Sequence, residues 1–166
     1  MAIRTILTQG DPALNKRCHP VTKFDHRLAD LLDDLKETLA EANGVGLAAP
    51  QVGILRRAVI VVPDPEKDEM VELVNPEIVA QEGEVDGLEG CLSIPGMWGY
   101  VKRPIWVKVR AQDRGGNWFE MEGEGLAARC FCHELEHLEG HMYDEHTDRL
   151  YTAEELDEME SERADG

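Results

Sequence analysis

The sequence predicts an α+β fold in which antiparallel or mixed strands pack around one central helix. Three observations support this prediction: leucines at helical spacing near the start of the 166-residue chain, short apolar segments in its middle, and a second helical segment after Gly125. A helix first, strands between and a helix last is an order typical of α+β proteins.

The first helix is predicted over residues 26–42. Apolar side chains recur there at the spacing of one helix face: Leu28, Leu31, Leu32, Leu35 and Leu39. Asn43 and Gly44 follow, and both residue types are common at the end of a helix. We therefore expect an amphipathic helix that ends at Ala42.

The middle of the chain predicts two pairs of strands. An apolar run at residues 58–62 is ended by Pro63 and resumes at residues 70–74 after a charged loop, which indicates a hairpin. Residues 105–109 and 117–122 are a second plausible pair across the turn at residues 113–116. The last predicted helix begins near Gly125 and ends at Gly140, where a glycine is common as a C-terminal cap.

Three residues of this last helix, His133, Glu134 and His137, form an H-E-x-x-H motif. Because a helix has about 3.6 residues per turn, positions four apart share a face, so both imidazoles can reach one metal ion. The Glu134 carboxylate is then placed to act on the water that the metal activates. The motif indicates a metal-dependent hydrolase.

A catalytic site of this kind usually takes a third protein ligand and leaves one position for water. A metzincin would have a His at position 143, where this chain has Tyr143. A thermolysin-like enzyme uses a later Glu, and the acidic tail offers three candidates: Glu154, Glu155 and Glu158. Upstream, Cys91 stands between two glycine-containing turns and has no second Cys nearby. A metal site of Cys91, His133 and His137 is therefore available.

Three motifs together resemble those of the peptide deformylase family. That family carries G-φ-G-L-A-A-x-Q, E-G-C-L-S and H-E-x-D-H in this order. The chain reads G-V-G-L-A-A-P-Q at residues 44–51, E-G-C-L-S at 89–93 and H-E-L-E-H at 133–137. The N-terminal arm is also similar, so the resemblance covers about residues 1–150.

The resemblance implies a role for several residues. Cys91 would be the third metal ligand, bound as a thiolate. The backbone N–H of Leu92 and the side-chain amide of Gln51 would stabilise the oxyanion of the tetrahedral intermediate, where removing one donor typically costs about 3 kcal/mol. Glu134 would take a proton from the attacking water and return it to the leaving amine.

The glycine-containing segment Gly44, Val45 and Gly46 is the predicted binding site for the substrate's main chain. Glycines let another backbone approach closely, which suits an extended peptide that pairs with a strand edge, as in the family. We predict that Val45, Leu126 and Cys130 line an apolar pocket for the formylmethionine side chain. The alternative for these three is an ordinary place in the core.

The reaction implied is hydrolytic removal of the N-formyl group from the formylmethionine of new polypeptides, with release of formate. The family favours Fe²⁺, and Zn²⁺, Ni²⁺ or Co²⁺ could replace it at a site of one thiolate and two imidazoles. Two alternatives remain. One is an H-E-x-x-H metallopeptidase with a third ligand from the tail, and the other is an inactive metal-binding relative that binds nascent N-termini.

Two positions depart from the family pattern. Glu136 stands where the family usually has Asp, so its carboxylate reaches one methylene further. Changing a residue that supports a metal ligand typically lowers metal affinity or activity by ~10–100-fold. Trp98 stands at a position often occupied by Arg. Its indole could stack on the substrate, but packing against the protein is the favoured interpretation.

Length and charge limit the organisation and the partners. We expect one catalytic domain over residues 1–150 and a short acidic tail over residues 151–166. The formal net charge of −17 argues against nucleic-acid binding, so N-formylmethionyl peptides are the expected partner, with transient ribosome contact as a further option. Six basic residues could form a docking patch, although scattered surface charges are favoured: Arg56, Arg57, Lys102, Arg103, Lys108 and Arg110.

The cellular location is predicted from what the sequence lacks. No run of about 18 apolar residues is present, and the apolar start of the chain is too short for a signal peptide. We expect a cytoplasmic protein without membrane contact, in which the four cysteines remain thiols.

Overall fold

The computed structural model describes residues 2–165, which form three α-helices and seven β-strands. The helices are α1 (His26–Ala42), α2 (Leu126–His137) and α3 (Ala153–Asp165). The strands are β1 (Gly46–Ala48), β2 (Ala58–Val61), β3 (Val71–Glu82), β4 (Val85–Cys91), β5 (Ile94–Arg103), β6 (Trp106–Gln112) and β7 (Trp118–Glu124). The α+β prediction is confirmed, and every pair of strands is antiparallel.

Helix α1 forms over the predicted residues. The Asp25 side chain caps its N-terminus by accepting hydrogen bonds from the backbone N–H groups of Arg27 and Leu28. Asn43 ends the helix in the left-handed conformation, with φ of 55°. The chain therefore leaves α1 at Gly44 and enters β1 directly.

The main sheet has five strands in the order β1-β2-β3-β6-β7. The two predicted strand pairs are confirmed, because β2 pairs with β3 and β6 pairs with β7. Strand β3 is longer than predicted, and two register shifts in its pairing with β6 let it bend. Strand β1, which carries the predicted substrate segment, is an edge strand of this sheet.

The main sheet separates α1 from α2. Along β2, Val59 and Val61 pack in the cluster that contains α2, whereas Ala58 and Ile60 pack in the cluster that contains α1. Because successive side chains of a strand point to opposite faces, this alternation places one helix on each face of the sheet. All four residues of β2 are buried, which explains its continuous apolar sequence.

Helix α2 begins after Gly125 as predicted, but it ends at His137 rather than at Gly140. The chain leaves the helix through a turn in which the N–H of His141 donates to the carbonyl of Glu136. Gly140 closes this turn with φ of +83°, and a Cβ there would lie 2.9 Å from the Asn15 backbone. Gly140 therefore lies at the end of the turn that follows α2, and not at the end of the helix.

The hairpin of β4 and β5 was not predicted. Cys91 was expected between two turns, but it is the last residue of β4, and Cys91 pairs with Ile94 across the tight turn that contains Leu92. Glycine-rich β4 has little apolar alternation, so its sequence does not resemble a strand. The hairpin brings Cys91 to the buried face of α2.

The C-terminal segment returns to this hairpin before forming α3. Trp98 and Tyr151 exchange two backbone hydrogen bonds, of 2.8 and 2.7 Å. The acidic residues Glu154 and Glu158 on α3 are exposed to solvent. Within residues 2–165, no helix is long and apolar enough to cross a membrane.

Candidate metal centre

Helix α2 and the β4–β5 hairpin bring three possible metal ligands together. Cys91, His133 and His137 each offer one ligand atom, and these atoms all lie within 4.8 Å of one another. The Cys91 Sγ atom is 3.5 Å from His137 Nε2. In the described part of the chain, this is the one group of three Cys, His, Asp or Glu side chains with such spacing.

Among the described residues of the tail, none joins this cluster. Glu154, Glu155 and Glu158 lie on α3, and Glu155 accepts hydrogen bonds from Thr152 and Arg149 instead. The arrangement predicted for a thermolysin-like site is therefore not formed. The geometry supports the Cys91 alternative.

Glu89 orients one of the histidines. Its Oε1 atom lies 2.9 Å from Nδ1 of His133, which leaves Nε2 of that imidazole free for a metal. Glu89 is 5% exposed and also accepts hydrogen bonds from Arg103 and Arg129. Although burial by itself raises the pKa of Glu89, the contacts with Arg103 and His133 lower it to about 2. The carboxylate is therefore charged at neutral pH.

The two histidines lie in different electrostatic surroundings. Burial by itself lowers the pKa of His133, but the Glu134 carboxylate and the contacts with Cys91 and Glu89 raise it to about 10. Burial lowers the pKa of His137, so this imidazole is neutral, the form that binds metal. A positive charge is therefore stabilised at His133, and a divalent ion can provide it.

Glu134 is buried beside the ligands. Its Oε2 atom is 4.0 Å from His133 Nε2, and its Oε1 atom has no hydrogen-bond partner among the described residues. Burial raises the pKa of Glu134 to about 7. A carboxylate with this pKa can both accept and return a proton near neutral pH.

Gln51 also lies beside the ligand Cys91. Its Oε1 atom accepts a hydrogen bond from the Ala48 N–H at 2.9 Å, and this fixes which end of the amide faces the site. Its Nε2 atom donates to Ser93 Oγ at 3.0 Å and lies 3.6 Å from Cys91 Sγ. Leu92 lies in the adjacent hairpin turn. Both predicted oxyanion donors are thus next to the metal ligand Cys91.

A pocket of about 650 Å³ is lined in part by Cys91 and Leu92. Its lining includes the predicted substrate residues Gly44, Val45, Gly46, Leu126 and Cys130, together with His133 and Glu134. Leu126 is 49% exposed, so it is not an ordinary core residue, whereas Cys130 is buried and lines the pocket. The geometry therefore brings every predicted substrate residue to the site.

Trp98 both packs and lines the pocket. Its indole lies over Gly90, where an added Cβ would be 2.6 Å from Trp98 Nε1. The side chain also forms part of the wall of the pocket. Trp98 therefore packs against the protein, which was the favoured interpretation. It also occupies a position where it can contact a bound substrate.

The structure adds site residues that the sequence analysis missed. Glu89, Ser93, Arg103 and Arg129 support the ligands or Gln51 through buried hydrogen bonds. Glu89 could have been found from its position two residues before Cys91, at the start of the E-G-C-L-S motif. The arginines carry no such signal because their partner is distant in sequence.

The fold and the ligand set define a class of protein, namely metal-dependent hydrolases with one Cys and two His ligands and a buried Glu. Comparisons with known proteins give the family. The sequence profile described as "Polypeptide deformylase" matches residues 3–153. The chain belongs to this family.

Individual relatives are similar over almost the whole chain. The peptide deformylase of Caldicellulosiruptor bescii is 50% identical over 161 residues, which cover 97% of this chain and 95% of that protein. The peptide deformylase of Agathobacter rectalis is 53% identical over 143 residues, or 86% and 89% of the two chains. A crystal structure of the Legionella pneumophila peptide deformylase has a TM-score of 0.84 at 39% identity and covers 98% of both chains.

The family and these relatives confirm that the chain is an enzyme of the deformylase type. The bond hydrolysed is therefore the amide bond that joins a formyl group to the N-terminus of a polypeptide. A general metallopeptidase and an inactive binding relative are not favoured.

Proposed function

We propose that this chain hydrolyses the N-formyl group of formylmethionyl N-termini, with formate and a free amine as products. The observation that carries the proposal is the cluster of Cys91, His133 and His137 beside Glu134. Three of these four residues, Cys91, His133 and Glu134, line one pocket. Membership of the deformylase family supports the same reaction.

The residues present fit a divalent metal ion. A thiolate and two imidazoles suit late first-row ions, and we propose Fe²⁺ as the physiological one, with Zn²⁺, Ni²⁺ or Co²⁺ as replacements. The support is the donor set and the buried, partnerless oxygen of Glu134, which needs a ligand in the site. When bound, the ion supplies Lewis acidity toward water and the formyl carbonyl.

Glu134 is proposed as the residue that moves the proton. As the water oxygen attacks the formyl carbon, Glu134 accepts a proton from that water. When the C–N bond breaks, the protonated Glu134 side chain donates this proton to the leaving amine. The pKa of about 7 that burial gives Glu134 suits both steps.

Gln51 and Leu92 are proposed to stabilise the oxyanion. The Gln51 amide is held by Ala48 and Ser93, so its N–H donor need not reorganise during the reaction. The backbone N–H of Leu92 follows the ligand Cys91 directly in the chain. Both donors are therefore fixed relative to the metal site.

Substrate binding is proposed at the β1 edge and in the pocket. Residues Gly44, Val45 and Gly46 can pair with an extended peptide because β1 has a strand on one side only in the described sheet. The apolar pocket beside them, which is lined by the exposed Leu126 and the buried Cys130, suits the methionine side chain. The formyl carbon is then brought to Glu134.

The proposed location is the cytoplasm, where formylated chains are made, with at most transient contact with the ribosome. The predicted basic patch receives no support from the arrangement of its members. Arg103 is 5% exposed and pairs with Glu89, and Arg57 pairs with Glu139. Scattered charge, the favoured interpretation, agrees with these contacts.

The test is hydrolysis of an N-formyl-Met tripeptide by protein loaded with Fe²⁺ under anaerobic conditions. We expect metal-dependent formate release and no cleavage of the peptide bonds in the same tripeptide without its formyl group. Cleavage of the unformylated tripeptide would support a metallopeptidase. An absence of formate from metal-loaded protein would contradict the proposal.

A further inference from the structure

A line of contacting ionisable side chains runs from the surface to the metal site. It begins at His146, whose Nε2 lies 2.5 Å from Oε2 of Glu136. The other oxygen of Glu136 accepts a hydrogen bond from Nη1 of Arg103. Arg103 in turn makes a two-pronged contact with Glu89, of 2.7 and 3.0 Å, and Glu89 contacts Nδ1 of His133.

Exposure falls steadily along this line. The side chain of His146 is 45% exposed and that of Glu136 is 26% exposed, whereas those of Arg103 and Glu89 are only 5% and 4% exposed. Charged hydrogen bonds are stronger where water is excluded. Glu136 therefore links the partly exposed His146 to Arg103, which is almost completely buried.

The length of the Glu136 side chain makes both of its contacts possible. A side chain shorter by one methylene, about 1.5 Å, could not hold Arg103 with one oxygen and His146 with the other without movement of the backbone. The turn that carries His146 is also anchored, because Tyr143 in this turn is buried and donates a hydrogen bond to the Met97 carbonyl. Glu136 therefore bridges two anchored groups.

We propose that Glu136 and His146 are positioning residues for the metal site. They hold Arg103 against Glu89, and Glu89 then fixes the rotation of the His133 imidazole so that Nε2 points at the metal. This inference rests on the proposed metal site of Cys91, His133 and His137. It assigns a role to His146 that lies outside that ligand set, and it makes Glu136 and His146 one functional unit.

The test uses Co²⁺ as a spectroscopic probe. The visible bands of bound Co²⁺ report coordination geometry, and the near-ultraviolet band reports the thiolate of Cys91. We expect Glu136→Gln to shift the visible bands and to weaken Co²⁺ binding by roughly 10-fold in competition with a chelator. His146→Ala should change both in the same direction by a smaller factor, and His146→Gln, which keeps a donor, should restore part of the loss.

The double variant separates this role from a simple loss of stability. Because His146 acts only through Glu136, Glu136→Gln with His146→Ala should bind Co²⁺ as Glu136→Gln alone does. The matched control is His141→Ala, since His141 is an exposed histidine of the same turn region that pairs with Glu145 and not with Glu136. This control should bind Co²⁺ like the unaltered chain.

Each result has a distinct meaning. Unchanged spectra and Co²⁺ affinity in Glu136→Gln and His146→Ala would overturn the inference, even if both variants melted at lower temperature. Additive losses in the double variant would also overturn it. If the unaltered chain bound Co²⁺ without the thiolate band, or if Cys91→Ser kept that band, the proposed metal site itself would fail, and the inference with it.

Discussion

Gly46 and Glu134 lie so close together that position 46 has no room for a side chain. A Cβ built on Gly46 would be 2.8 Å from Cδ of Glu134. Strand β1 therefore passes directly over the carboxylate. Gly46 was predicted to let a peptide approach the backbone. The structure gives a second reason for a glycine at this position, because Glu134, the proposed base, occupies the space that a side chain would need.

Gly46→Ala should therefore reduce catalysis more than it reduces folding. The added methyl group must displace the Glu134 carboxylate, and a displacement of about 1 Å at a catalytic group can cost 100-fold in rate. We expect kcat for formate release to fall by about that factor with bound metal retained. Gly115→Ala is the control, because an added Cβ there meets only side-chain atoms of the exposed turn, at 3.3 Å or more. Equal kcat values for the two variants would contradict this explanation.

Glu89→Gln should damage both stability and metal binding. The substitution removes the negative charge that faces Arg103 and Arg129, and loss of one partner from a buried ion pair costs about 3 kcal/mol or more. It also replaces the charged acceptor that orients His133 with a neutral amide, and a loss of ~10–100-fold in metal affinity is typical when such a partner is changed. Urea unfolding and metal titration measure the two effects. Glu122→Gln, on the exposed face of β7, should change neither.

The ion pairs of Glu72 predict a pH dependence of stability. Burial by itself raises the pKa of Glu72, but hydrogen bonds from Arg114 and Lys36 lower it below its ordinary value of 4.5. A carboxyl whose pKa is lower in the folded protein stabilises it above the unfolded pKa, and this contribution is lost as the pH falls through the folded pKa.

Glu72→Gln should accordingly lower the melting temperature of metal-free protein at pH 7. A loss of about 1 kcal/mol corresponds to ~2–4 °C for a chain of this size. Below the folded pKa of Glu72 the difference from the unaltered chain should disappear, because Glu72 is then protonated. Thermal unfolding across this pH range checks the prediction, and a difference that grew as the pH fell would refute it.

Thiol reactivity should single out Cys91. Burial raises the pKa of Cys130 to about 12 and that of Cys18 to about 11, so both remain thiols at neutral pH. Cys91 is partly exposed in the pocket. We expect iodoacetamide to alkylate Cys91 in metal-free protein, and bound metal to protect it. Peptide mass spectrometry would show whether Cys130 reacts as fast, which would contradict the burial argument.

Local patterns were sufficient to predict helix α1, two strand pairs and the metal helix. The leucines of α1 and its Asn43 stop are signals within one element, and β2 is apolar because both of its faces are covered. The β4–β5 hairpin was not predictable in the same way. Its glycines accommodate neighbours that are distant in sequence, such as Arg129 against Gly87, and its strand character depends on those contacts.

The same distinction applies to the site. His133, Glu134 and His137 share one helix face, so the sequence alone placed them together. Cys91 was a candidate ligand from the sequence alone, but the choice of Cys91 over the glutamates of the tail needed the family resemblance. The residues around Cys91 do not show which distant ligands it joins. Arg103, which binds Glu89 across 14 positions of the chain, could be found only from the folded structure.

The most direct test of the central claim, that Glu134 is the proton carrier of a metal-dependent deformylase, is a comparison of formate release by the unaltered chain and Glu134→Gln. Both proteins are loaded with the same metal, and its content is measured before the assay. We predict equal metal content and a loss of about 10²–10⁴-fold in kcat for the variant. Full turnover by metal-loaded Glu134→Gln would contradict the claim.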